Sequence, residues 1–139
     1  MDAQKFLKAQ DADYERALTE IRNGHKQSCW IWYIFPQLKA LGRSATAIYY
    51  GLENLDEAKA YLAEPVLRER LLEITQALLD LDDDNPVSVM GWDVDALKLR
   101  SSMTLFREAE PENPIFQAVL DKYFRGRPDE STLRYLKET

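Results

Sequence analysis

A chain of 139 residues with 45% apolar residues is long enough for one domain with its own core and too short for two. Its 24 acidic residues against 18 Lys and Arg give a net charge of −6, which repels phosphate backbones and anionic lipid and so argues against nucleic-acid and membrane-surface partners. One cysteine rules out an internal disulfide, and neither a leader-like apolar run near Met1 nor an eighteen-residue apolar stretch occurs, so the expected setting is the cytoplasm.

In chain order the elements read as helices. Tyr14, Ala17, Leu18 and Ile21 keep the i, i+3, i+4, i+7 spacing of one buried face, and Gly24 supplies a stop. The run Cys29 to Phe35 is the one β-like segment, but it is too apolar to alternate and ends at Pro36; it is expected to be a buried helix or irregular piece. Asn54 followed by Glu57 forms a capping-box pattern ahead of Leu55, Ala58, Tyr61 and Leu62. Pro65 fits the first turn of a long helix carrying Leu67, Leu71, Ile74 and Leu78. A helix beginning near Asp93 carries Lys98 to Phe106; Asn113-Pro114 starts another that Gly126 closes, and Asp129 caps a last one with Leu133 and Leu136. The fold class that follows is all-α: a compact, single-domain multi-helix bundle over residues 1–139, with short and medium helices and no substantial sheet.

Two segments carry the chemistry. The first runs from His25 and Lys26 through Trp30 and Trp32 to Gln37. Aromatic walls with a few placed polar groups build small-molecule pockets, and they also build hydrophobic cores. His25 could serve as a general base, or as a cation offsetting the carbonyls of the helix that ends at Gly24. Cys29 reads as a small buried hydrophobe. The second segment places Lys98 three and four residues before Ser101 and Ser102, so these three share a helix face, with Thr104 close by in sequence. A lysine there could activate a hydroxyl; the simpler reading is that helical Ser and Thr bond back to backbone carbonyls or cap a new helix after a break. The acidic run Asp80, Asp82, Asp83, Asp84 fails as a calcium loop, because the sixth position is Asn85 and the twelfth is Gly91. No metal site or cofactor motif is expected.

Taken together, Trp30-Ile31-Trp32, Phe35-Pro36-Gln37-Leu38, Leu41-Gly42-Arg43-Ser44, Lys98-Leu99-Arg100-Ser101-Ser102-Met103-Thr104-Leu105-Phe106 and the Gly126 to Leu133 stretch resemble, in order, the family catalogued as domain of unknown function 1810. The resemblance implies an all-α domain and no established activity or catalytic residue. The family usually has His where Cys29 stands; were that His an obligatory catalyst, this member would be inactive or would use Cys29 instead. A calpastatin label attached to some members fits poorly, since such inhibitors are long and disordered and this chain is rich in core residues. The candidate ligand contacts are then His25, Lys26, Trp30, Trp32, Gln37, Ser44, Lys98, Ser101, Ser102 and Thr104, in a groove for a small anionic ligand or a protein partner. An enzyme acting on an anionic metabolite and a structural interaction module are the alternatives.

Overall fold

The computed structural model describes residues 1–139. Nine α-helices follow one another: α1 (Ala3–Arg22), α2 (Ile31–Ile34), α3 (Ala45–Tyr50), α4 (Leu55–Ala63), α5 (Pro65–Asp80), α6 (Pro86–Met90), α7 (Asp93–Ala109), α8 (Ile115–Phe124) and α9 (Glu130–Glu138), with a 3₁₀ turn at Lys39–Leu41 between α2 and α3. Extended pairing is confined to a parallel bridge between Leu38 and Leu52. No helix is long and apolar enough to cross a membrane.

The helix boundaries follow local chemistry. Asp2 accepts from the Gln4 N–H at the start of α1. At its end Gly24 takes φ of 83°, its N–H reaches Ile21 O at 2.8 Å, and the His25 N–H reaches Glu20 O at 3.1 Å. This paired closure satisfies two carbonyls that the helix would otherwise leave bare. Asn54 accepts from the Glu57 N–H, while the Glu57 carboxylate reaches back to the Glu53 N–H, one residue earlier than a strict capping box. Glu64 caps α5 ahead of Pro65. The start of α8 falls at Pro114, with Asn113 accepting from the Ile115 N–H. Asp129 binds both the N–H and the hydroxyl of Thr132 to open α9. One short helix, α6, was not assigned from the sequence; Asn85 accepts from two N–H groups at its start.

Helix α7 is the hub, packing against α8, α4, α6, α9 and α2, while α1 and α8 both pack on α5. A chain of aromatic rings threads the core from Phe6 to Tyr61 (5.2 Å, edge-on), on to Phe106 (5.3 Å) and then Phe116 (5.8 Å), linking α1, α4, α7 and α8. Each of these rings is completely buried, a burial worth about 1.5–3 kcal/mol per side chain. The hub position of α7 explains why Ser101 to Phe106 are all buried, with no solvent face between them, although three of the six carry hydroxyls.

Candidate functional site

The segment after α1 is tied down by a buried carboxylate. Glu20 accepts from the Gln27 and Ser28 N–H groups, from the Ser28 hydroxyl and from Trp30 Nε1. Burial works to raise its pKa, but the hydrogen bonds outweigh burial and hold the carboxyl down at about 2. Beside it, Lys26 is 2% exposed; Nζ donates to Asp95 Oδ2 at 2.8 Å and to Ser28 O, and lies 4.9 Å from the Trp30 ring and 5.1 Å from the Trp92 ring. A buried ammonium survives only with such company: one carboxylate, one carbonyl and two aromatic faces. His25 is exposed, and its Nδ1 lies 2.8 Å from Ser88 O in α6. His25, Lys26 and the completely buried Trp30 thus fasten the end of α1 to α6 and α7. Cys29, expected to be buried, is exposed, because its neighbours Trp30 and Ile31 occupy the interior positions. It borders a separate hollow of about 180 Å³ with Lys26, Trp32 and Trp92.

The two segments do meet, through α2 and α7. Lys98 Nζ sits 5.3 Å from the Trp32 ring, and Trp32 is half-buried with its Nε1 shut away from solvent and from any partner. The hydroxyls of α7 divide. Ser101 Oγ donates to Leu97 O at 3.1 Å. Ser102 Oγ is buried without a partner. Thr104 Oγ1 donates to Arg100 O and accepts from the Asp129 N–H at 2.8 Å, which fixes the start of α9 against α7. Arg100 turns away, its Nε donating to Arg127 O and its guanidinium lying over Phe124.

A cleft of about 520 Å³ opens beside this contact. Helix α7 contributes Val94, Leu97, Lys98 and Ser101, spaced i, i+3, i+4 and i+7 along one face. Gln37 closes one side; Leu41, Arg43, Ser44 and Ala47 form the opposite wall; Asp129 and Ser131 at the start of α9 close the end. That wall is held by the Leu38–Leu52 bridge, with the Lys39 N–H on Leu52 O at 2.8 Å and the Leu52 N–H on Gln37 O at 2.9 Å. Gly51 is required there by proximity, since a Cβ would lie 2.3 Å from Lys39 Cα. Of the residues singled out from sequence, Gln37, Ser44, Lys98 and Ser101 converge on the cleft; His25, Lys26, Trp30, Trp32, Ser102 and Thr104 do not line it. Arg43, Leu41, Val94, Leu97 and Asp129 line it and were not singled out. The one signal for Arg43 was its place in the Leu41-Gly42-Arg43-Ser44 stretch; nothing local points to Asp129, which chain topology brings in. No group of three or more His, Cys, Asp or Glu side chains is placed to hold a metal ion.

The arrangement has a close structural counterpart. The crystal structure of the conserved hypothetical protein Rv1873 from Mycobacterium tuberculosis superimposes with a TM-score of 0.94 at 40% identity, over 98% of this chain and 96% of that one. Among curated proteins, Methylesterase 1 of Arabidopsis thaliana is 25% identical across 78% of this chain. The chain spans about half the length of that relative, 46%. A family model covers residues 1–136, nearly everything from the α1 cap to α9, and the chain accordingly belongs to the family described as protein of unknown function (DUF1810).

Proposed function

We propose that the cleft between α3, α7 and α9 binds a small anion, with Lys98 and Arg43 supplying the positive charge and Ser44 and Ser131 supplying hydroxyls. One observation carries this reading. Every other buried or half-buried Lys or Arg has a carboxylate or carbonyl partner: Lys5 on Tyr49 O, Lys26 on Asp95, Arg68 on Glu110, Arg70 on Asp11, Arg100 on Arg127 O, Arg107 on Glu108 and Lys122 on three carbonyls of α5 and its end. Lys98 alone is half-buried with only an aromatic face beside it. A cation partly removed from water and left without a counter-charge is poised to gain from an entering anion. Arg43 on the opposite wall also has no ion pair, and its guanidinium fork suits a multi-oxygen anion.

An ester-hydrolysing role, suggested only by the name of the methylesterase, has less support. The chain has no Gly-x-Ser-x-Gly turn, and His25, the one histidine, is engaged with Ser88 O away from the cleft. A cytoplasmic setting suits the exposed free thiol of Cys29.

The test is ligand-linked stability. Millimolar inorganic phosphate should raise the melting temperature of the wild-type protein, as any ligand bound only by the folded state does, by roughly 2.7 kcal/mol of added stability at a hundredfold excess over Kd. Lys98→Met should fold normally and lose that rise. An equal rise in both proteins, or none in the wild type, would overturn the proposal.

A further inference from the structure

The cleft does not end at Lys98. A second depression of about 530 Å³, bordered by Val87, Trp92, Asp93 and Val94, adjoins it, and the two share Val94. This shared edge is unusually apolar for an exposed surface. Trp92 is 52% exposed, Val94 59%, Leu97 59% and Val87 40%, so half of the chain's exposed large hydrophobic side chains fall on this one stretch of α6 and α7. Large exposed apolar groups gathered beside a charged cleft are the mark of a binding groove.

Charge gives the groove a direction. Lys98 and Arg43 stand at one end. At the other, Asp93 is exposed without an ion pair, and Asp95 is already neutralised by Lys26. An anion placed at the Trp92 end would meet the Asp93 carboxylate; placed between Lys98 and Arg43 it meets two cations. Asp129, the one carboxylate in the first cleft, has Oδ2 committed to Thr132 as the α9 cap. The indole of Trp92 is held in place from beneath by the Lys26 ammonium, 5.1 Å from its ring, which leaves its outer face to stack.

Resting on the anion site proposed above, we infer that the natural ligand is an amphipathic anion: a phosphomonoester or similar multi-oxygen anion carrying a flat apolar group. Its charged end lies between Lys98 and Arg43, and its ring lies along Leu97 and Val94 onto Trp92. The apolar edge supplies affinity and the cations supply orientation.

The experiment is isothermal titration of the full chain with three probes: inorganic phosphate, 1-naphthyl phosphate and 1-naphthol. Naphthyl phosphate should bind roughly tenfold more tightly than phosphate, the gain expected from covering part of one aromatic ring. Trp92→Ala and Val94→Ser should each remove most of that advantage, measured as the ratio of naphthyl phosphate to phosphate affinity in the same variant, and Trp92→Ala, which lies outside the anion cleft, should leave phosphate affinity itself unchanged. Val94→Ser guards against a folding defect at Trp92, because Val94 is exposed on the outside of α7. Equal affinity for phosphate and naphthyl phosphate, or an advantage that survives both substitutions, would overturn the amphipathic ligand and leave the anion site standing. Naphthol binding as tightly as its phosphate would also overturn it. Loss of neither phosphate nor naphthyl phosphate binding in Lys98→Met would instead remove the anion site itself. Sedimentation should show a monomer; a dimer that Trp92→Ala dissociates would assign the apolar edge to a second copy of the chain and overturn the inference.

Discussion

A single carboxylate, Glu20, decides how the aromatic segment is presented. Its four donors come from Gln27, Ser28 and Trp30, so it converts a loop that follows a helix stop into a fixed platform. Because its folded pKa is depressed from 4.5 to about 2, the sign of its pH effect is set: the stabilisation is complete above 4.5 and is lost as pH falls toward 2. Glu57 and Glu110 are also held below the ordinary carboxylate range, so the wild-type protein weakens in acid through several groups at once. The contribution of Glu20 is isolated by Glu20→Gln. That variant should lose about 2–3 kcal/mol at neutral pH, the worth of hydrogen bonds to a charged group, and should show a shallower decline between pH 4.5 and 2. Urea midpoints measured across that window check it; parallel curves for the two proteins would show that Glu20 is not the titrating group. From sequence, Glu20 was one acidic residue on an amphipathic helix, next to Ile21 on the apolar side. Its partners lie seven to ten residues ahead, past the Gly24 reversal, and no helical periodicity reports them. The exposure of Cys29 was illegible for the same reason.

At the scale of elements, what was legible was what is local. The stops and caps at Gly24, Asn54, Pro65 and Asp129 rest on interactions spanning three to five residues, and the elements lie where those residues suggest. The cleft wall is different. It depends on the bridge that ties Leu38 to Leu52 across fourteen positions, and the sequence marks it only by an unexplained Gly51 between Tyr50 and Leu52. Gly51 has an ordinary φ of −66°, so glycine is needed for space rather than for backbone freedom. In Gly51→Ala the new methyl would press on Lys39 Cα and N, at 2.3 and 2.8 Å, and these are backbone atoms with no rotamer to escape into. The segments must part, which breaks the hydrogen bonds at Lys39 and Leu52 and displaces the 3₁₀ turn and α3 with Arg43 and Ser44. Overpacking of this kind costs about 1–3 kcal/mol. The denaturation midpoint should fall accordingly, and phosphate affinity should fall with it while the helical circular dichroism stays unchanged. A variant as stable as wild type, with phosphate binding intact, would show that the wall is not set by this approach.

At the scale of the molecule, one cluster of 31 buried hydrophobic residues takes in side chains from α1, α2, α4, α5, α6, α7, α8 and the segments around Leu38 and Leu52. The groove therefore has no independent support: its floor, α7, is the same helix that α4, α6, α8 and α9 pack upon. This differs from a site carried on mobile loops over a rigid scaffold. The three tryptophans offer a test, because all of them lie at the groove end. Trp30 and Trp92 flank Lys26, and Trp32 lies under Lys98. Tryptophan fluorescence thus reports that end alone, whereas far-ultraviolet circular dichroism sums every helix, including α5 and α8 with their own contacts through Lys122 and Tyr123 to the end of α5. If the shared core makes the chain one cooperative unit, as is usual below about 150 residues, the two signals should follow one denaturation curve with a common midpoint and slope. Fluorescence changing at lower urea would mean that the groove end opens while α5 and α8 stay folded. The site would then be a separate, weaker unit, its ligand affinity reduced by the fraction of molecules in which that end is closed.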